Sequence, residues 1–336
     1  MDKDQFSQIN TTVSVKEKDL LSAEQFKTLI NASSKESIHR VLQETPYHID
    51  LADLDNLNEV ERVLMKELAR TFKWAFEECP VPEVIQLFSL PYFYHNLKVL
   101  LKSRASQKDL NSLLIPIGMQ PLSALEHLVR TLKSDHFPEF LVEEVQSIWK
   151  EYLDYGDSRV LEIGADLAYF KHLKKIAKQL DDEVFLKAVS MLTDSYNLIT
   201  IKRAQKMKKS HGFIKQLLTD QASLSNQEFI DMASSRSLLT WYHGLLPDNY
   251  SKELGLYESK IAEGKITIPE LEYLSELLIF QLFDANKYSC QGPYVIARFL
   301  LAKEFEIKNL RLILSAQANQ LPLDLVKERM RPLYGQ

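Results

Sequence analysis

Residues able to do chemistry are present, but they do not gather into a catalytic set. Asp181-Asp182-Glu183 superficially resembles the aspartate-rich metal motif of helical prenyl-transfer enzymes. It stands at an expected helix N-terminus, where the macrodipole favours anions, and no third carboxylate follows on the same face. Eight histidines are scattered along the chain. His95 and His172 each fall on an expected helix with no paired ligand or base, and both read as satisfied or solvated rather than catalytic. Cys79 and Cys290 lie far apart, match no metal spacing, and are expected to be buried, reduced thiols. There is no Gly-rich phosphate loop, dinucleotide fingerprint, His-Glu-x-x-His or Cys-x-x-Cys. The sequence therefore implies no catalytic centre, no metal and no cofactor.

The chemistry that remains is electrostatic. Lys202-Arg203-Ala204-Gln205-Lys206-Met207-Lys208-Lys209 is the densest basic stretch, with Lys215 beyond it. It is either a docking surface for an acidic partner or a solvated helix C-terminus stabilised by its own cations. It has no interleaved aromatics to stack bases, and a net charge of −5 gives no global pull toward nucleic acid or anionic lipid.

The elements that carry these residues are helical. Nine glycines and twelve prolines in 336 residues, with 45% hydrophobic and 26% charged residues, suit a soluble, mostly α-helical chain with real cores. No strand series with period-two alternation occurs, so an all-α fold is expected. The longest apolar runs, such as Leu277-Leu278-Ile279-Phe280, fall far short of the ~20 residues that cross a bilayer. The N-terminus lacks an apolar signal region, so a cytoplasmic protein without direct bilayer insertion is expected. Val60, Leu64, Leu68, Phe72 and Phe76 form one face of a helix ending at Pro80. Another runs from Pro82 to Leu101, with a kink or break expected at Pro91. A short helix is expected through Leu110, Leu113 and Leu114. Near the end, Gly292 to Leu314 reads as a rod of roughly 35 Å, with Ile296, Leu300, Ile307, Leu310 and Leu314 on one face.

Three helix starts share a signature: Leu21-Ser22 with Gln25, Leu122-Ser123 with Glu126, and Leu224-Ser225 with Glu228. In each the serine can cap the helix while the acid or amide three residues on reaches back. Ser33 and Thr267 begin similar boxes outside the series. The three serines are spaced by about a hundred residues, a domain-sized period. Polar–apolar–basic triplets recur in the same order: Asn96-Leu97-Lys98, Thr200-Ile201-Lys202 and Asn309-Leu310-Arg311. An asparagine inside a helix is mildly unfavourable and is there for a hydrogen bond, so Asn96, Thr200 and Asn309 are expected to fix how each unit packs. The domain organisation that follows is a polar N-terminal lead at 1–14 and helical units at 15–118, 119–220 and 221–336.

The run Gly292-Pro293, then Lys303-Glu304-Phe305-Glu306-Ile307-Lys308-Asn309-Leu310-Arg311 and a short closing helix, resembles the C subunit of V-type and A-type rotary ATPases, the counterpart of the eukaryotic d subunit. Leu20-Leu21-Ser22, Phe26, Leu29 and Leu42-Gln43-Glu44-Thr45-Pro46-Tyr47 resemble that family's first unit, and the resemblance covers essentially the whole chain. It implies three tandem helical domains arranged as a funnel with pseudo-threefold symmetry. It also implies a non-catalytic rotor part between the central-stalk subunits (the D and F types) and the membrane rotor ring, peripheral to the membrane. Nucleotide and nucleic acid are not among the implied partners. Lys202, Arg203, Lys206, Lys208, Lys209, Arg298, Lys308 and Arg311 are then the candidates for polar contacts to stalk or ring.

Overall fold

The computed structural model describes residues 3–233, 237–245, 252–287 and 291–334. Cys290 lies outside the described residues, as do Pro247, Asp248, Asn249 and Gly335. Within the described residues the chain is all-helical, without strands. In order the helices are α1 (Ser7–Lys16), α2 (Ala23–Ile30), α3 (Lys35–Gln43), α4 (Leu57–Glu78), α5 (Pro82–Ser106), α6 (Leu122–Thr131), α7 (Glu139–Tyr155) and α8 (Ser158–Leu180). There follow α9 (Glu183–Lys206), α10 (His211–Leu217), α11 (Asn226–Ala233), α12 (Ser237–Leu245), α13 (Lys252–Ala262), α14 (Ile268–Asp284), α15 (Tyr294–Ala318) and α16 (Leu323–Arg329).

The chain divides into two compact units, one running Pro82–Ser275 and the other built from Asp2–Val81 with Glu276–Gln336. In the first, α8 is the hub, packed by α5, α7 and α9. A helix buried on several sides needs apolar residues all round, which is why Leu161, Ala165, Phe170, Leu173 and Ile176 are all buried. Gly164 sets the α7–α8 approach: a Cβ there would stand 2.8 Å from Ile148 Cγ1. The Tyr94 hydroxyl on α5 donates to Ala168 O at 3.1 Å, and Lys98 pairs with Asp166 at 2.8 Å. In the second unit α15 is central, packed by α1, α4 and α16. Ile296, Leu300, Ile307, Leu310 and Leu314 are buried as their spacing requires, and Trp74 meets Phe299 edge-on at 6.0 Å.

Several local expectations change. Within the polar lead the described residues are largely helical: Phe6, Ile9 and Val13 are buried, and α1 packs on α15. Pro91 does not break α5, which runs unbroken through it. Leu110 to Leu114 holds only a 3-10 turn at Asn111–Leu113, with Leu113 exposed. The three leucines keep i, i+3, i+4 spacing, but none of them is buried, so no packed face holds a longer helix there. The last long helix begins at Tyr294, one residue after Pro293, and continues to Ala318.

The caps divide similarly. Ser22 and Gln25 close a reciprocal box, and so do Ser225 with Glu228 and Thr267 with Glu270. Ser33 is displaced by Ser34, which caps α3 with Ser37. Ser123 caps nothing; α6 starts a residue earlier, after Pro121, and Ser123 lies exposed in its first turn. Proline there presets the backbone for helix entry without a side-chain bond.

Candidate functional site

Three asparagines on three long helices make the same pair of bonds. On α5, Asn96 Nδ2 donates to Ile115 O at 2.7 Å and Ile115 N donates back to Asn96 Oδ1 at 2.8 Å. On α9, Asn197 does this to Thr219 at 2.9 and 3.0 Å, and on α15, Asn309 does it to Arg331 at 3.1 and 2.6 Å. The clamped residue lies 19, 22 and 22 positions downstream. All three asparagines are at most 1% exposed. Each side-chain amide thus imitates a strand partner for one residue of returning backbone, satisfying an N–H and a C=O that burial would otherwise leave unpaired.

The middle clamp corrects the sequence reading. Thr200 is half-buried beside Tyr196 and its hydroxyl bonds that phenol, but it holds no downstream segment. Asn197-Leu198, three residues earlier, takes that role, and the basic residue is absent because Ile199 follows. A second repeated feature lies eleven residues beyond each asparagine, where Gln107, Lys208 and Gln320 have left-handed backbones with φ of 56°, 55° and 53°. They follow the ends of α5, α9 and α15, where a left-handed residue lets the chain turn off its helix.

Three residues before each asparagine stand Phe93, Asp194 and Glu306. Asp194 accepts from the Ser223 N–H at 2.7 Å and its hydroxyl at 2.6 Å, just ahead of the Ser225 cap. Glu306 accepts from the Leu21 N–H at 2.5 Å, just ahead of the Ser22 cap, and from the Tyr47 hydroxyl at 2.6 Å. Lys303, only 2% exposed, pairs with Glu306 at 2.8 Å and stands 3.6 Å from Glu67 and 4.6 Å over the Tyr47 ring. Burial, then the Glu306 charge, pushes the Tyr47 phenol well above its ordinary value. Lys303 neutralises Glu306, and Asp194 is held by two hydrogen bonds from Ser223, the ways in which buried carboxylates are satisfied.

The candidate partner contacts separate into two groups. Arg298 is 7% exposed and turned inward, to Asp284 at 2.6 Å, to Glu17 and to the Tyr334 hydroxyl; it does not present a surface contact. Burial raises the Glu17 carboxyl, opposed by the Arg298 charge. Lys308 is half-exposed and pairs with Glu276 at 2.7 Å. Arg311, also half-exposed, grips Glu61 with two bonds of 2.7 Å. Arg203 pairs with Glu272. Lys202 is half-buried, and desolvation lowers its pKa. Lys206, Lys208 and Lys209 are exposed at the end of α9.

Of the carboxylates at 181–183, Asp182 serves the backbone. Asp182 caps α9 by accepting from Val184 N at 3.0 Å and Phe185 N at 3.3 Å. His172 sits among the rings of Phe93, Tyr94 and Phe140, and burial lowers its pKa to about 4, so it is neutral at pH 7. With His136 it lines a cavity of about 80 Å³. His95 bonds Leu113 O at 2.9 Å. Among the described residues no group of three His, Cys, Asp or Glu side chains could hold a metal ion, and no helix is long and apolar enough to cross a membrane.

Residues 9–329 match the family model described as ATP synthase (C/AC39) subunit. The chain belongs to this family. It is 28% identical to the C subunit of the V-type sodium ATPase of Enterococcus hirae, over 98% of this chain and 99% of that protein. It is 23% identical to the C subunit of the A-type ATP synthase of Methanocaldococcus jannaschii, over 94% of this chain and 84% of the relative. A third relative, the same A-type subunit from Pyrococcus horikoshii, is 22% identical over 96% of this chain and 89% of its own length. Asn96, Asn197 and Asn309 all lie inside the family's matched segment, and Arg331, the residue that Asn309 clamps, lies just beyond it.

Proposed function

We propose that this chain is a non-catalytic central-rotor subunit of a V-type ATPase or ATP synthase. It couples the central stalk to the membrane rotor ring during proton or sodium transport. The observation that carries the reading is the family match over residues 9–329, which makes nearly the whole chain, rather than one borrowed domain, the unit of comparison. The partners are then the D- and F-type stalk subunits and the ring, and the protein is cytoplasmic and peripheral to the membrane.

The three clamps, each with its left-handed residue eleven positions on, support three tandem units at about 15–118, 119–220 and 221–336. A funnel with pseudo-threefold symmetry is the arrangement we propose for them. A coupling element must carry torque without yielding. A two-point clamp helps, since it ties a returning segment to its long helix through buried bonds that water cannot readily replace.

Mixing the purified chain with D- and F-type stalk subunits and following the complex by size exclusion and calorimetry tests the proposal. A stoichiometric complex, with no heat on titrating ATP into the isolated chain, is expected. Tight ATP binding, or stalk subunits that elute separately at micromolar concentrations, would overturn it.

A further inference from the structure

The internal repeat supplies a comparison that a single domain could not. If the lysines ending α9 served the shared architecture, the other two copies would carry them at the same place. Counted from the asparagine clamps, Lys206, Lys208 and Lys209 correspond to Ala105, Gln107 and Lys108 in the first copy and to Ala318, Gln320 and Leu321 in the third. The backbone at these positions is nevertheless alike. Lys208 and Gln320 are both left-handed, and Lys209 N bonds Ala204 O at 3.0 Å as Leu321 N bonds Ala316 O at 2.9 Å. The third copy therefore builds the same turn without lysine and the first carries Lys108 alone, so the fold does not account for the clustered charge.

The tip is also unneutralised. No Asp or Glu occurs from Ile201 to Thr219 in a chain whose net charge is −5. Arg203 is paired with Glu272, but Lys206, Lys208, Lys209 and Lys215 form no ion pair among the described residues. Lys209 leans only over the Phe213 ring, at 5.5 Å. Amid these cations Met207 is 66% exposed, where the other copies have Ser106 and Asn319. A polarizable, flexible side chain ringed by charge is the usual makeup of an adaptable contact. By contrast Arg298, Lys308 and Arg311 are all neutralised within the chain.

We infer that the turn from the end of α9 into α10, from Lys206 to Lys215, is a docking surface specific to the middle copy. Its occupant is an acidic segment of a protein partner: the lysines meet its carboxylates and Met207 packs on an apolar residue among them. A bilayer fits less well, because one methionine offers little to insert and the rest of the chain is net acidic. The inference rests on the chain working within an assembly, as proposed above, but not on which other protein supplies the segment.

The test places a benzoylphenylalanine photocrosslinker at position 207 in the complex assembled in cells, with matched probes at 106 and 319. The expected result is a cross-link from position 207 alone, to a peptide of another protein subunit rich in Asp and Glu. In the K206E/K208E/K209E variant it is lost, and dissociation of that partner speeds on the order of 10- to 100-fold. The far-ultraviolet circular dichroism and melting temperature should not move, since these side chains form no ion pair among the described residues. Cross-linking to lipid, equal labelling from 106 and 319, or a cross-link that survives charge reversal would overturn the inference. Cross-linking to an acidic segment without recovery of any ATPase subunit would uphold it and count against the rotor reading instead.

Discussion

Replacing Asn197 by alanine isolates the second of the three clamps. The substitution deletes two hydrogen bonds, of 2.9 and 3.0 Å, and leaves the N–H and C=O of Thr219 buried without them. Each bond contributes about 0.5–1.5 kcal/mol net, and each stranded backbone group costs about 1–3 kcal/mol unless water reaches it. A loss of about 2–5 kcal/mol is therefore expected, concentrated in the segment that Asn197 holds. Thr200→Val removes a half-buried hydroxyl with no downstream partner and should cost under about 1 kcal/mol. Native-state hydrogen exchange reads the difference locally. In N197A the amides around 218–223 should lose protection by a factor of roughly 30 or more, while T200V leaves them nearly unchanged. Asn96→Ala and Asn309→Ala should act alike at Ile115 and Arg331. Equal exchange in N197A and wild type, or an equal effect of T200V, would refute the assignment of Asn197 as the middle clamp.

Further outcomes follow from other contacts. Lys303→Met leaves Glu306 in the interior without its cation, while Glu67 keeps Arg70, and should cost about 3–5 kcal/mol by urea denaturation. Gly164→Ala drives a methyl against Ile148 and should destabilise by about 1–3 kcal/mol, with the double variant G164A/I148A recovering part of the loss. His172 is neutral in the folded state, with its pKa lowered to about 4 from 6.5. The unfolded chain therefore binds the extra proton between those values. Stability is undiminished above pH 6.5, falls as the pH drops through the window, and has lost on the order of 3 kcal/mol at pH 4. Melting temperatures of wild type and His172→Gln across pH 4 to 7 check this, the variant showing the shallower slope.

Much of the architecture is legible in the sequence because it follows from helical spacing. The apolar face traced along α15 is buried, although burial extends beyond it to Arg298, Lys303 and Glu306, and the Ser22 and Ser225 boxes close as their spacing allows. The middle clamp is hidden for a physical reason. Asn197 and Thr200 lie three residues apart, almost one helical turn, so both fall on nearly the same face, and Lys202 completes a triplet only for the wrong one. The useful signal is the asparagine–leucine pair alone, without its basic neighbour. The N-terminal helix is masked by polar composition, although Phe6, Ile9 and Val13 keep a helical spacing. Arg298 is different: its partners Glu17, Asp284 and Tyr334 come from distant parts of the chain, so nothing local tells an inward arginine from an outward one. The same applies to Glu306, whose two main acceptor bonds reach back to Leu21 and Tyr47.

The proposed rotor role is tested most directly by watching this chain during turnover. With the ATPase immobilised through its catalytic head and a bead fixed to an exposed residue of this protein, ATP should drive sustained, unidirectional rotation of the bead. A bead that stays still while the complex hydrolyses ATP and its ring turns would contradict the account.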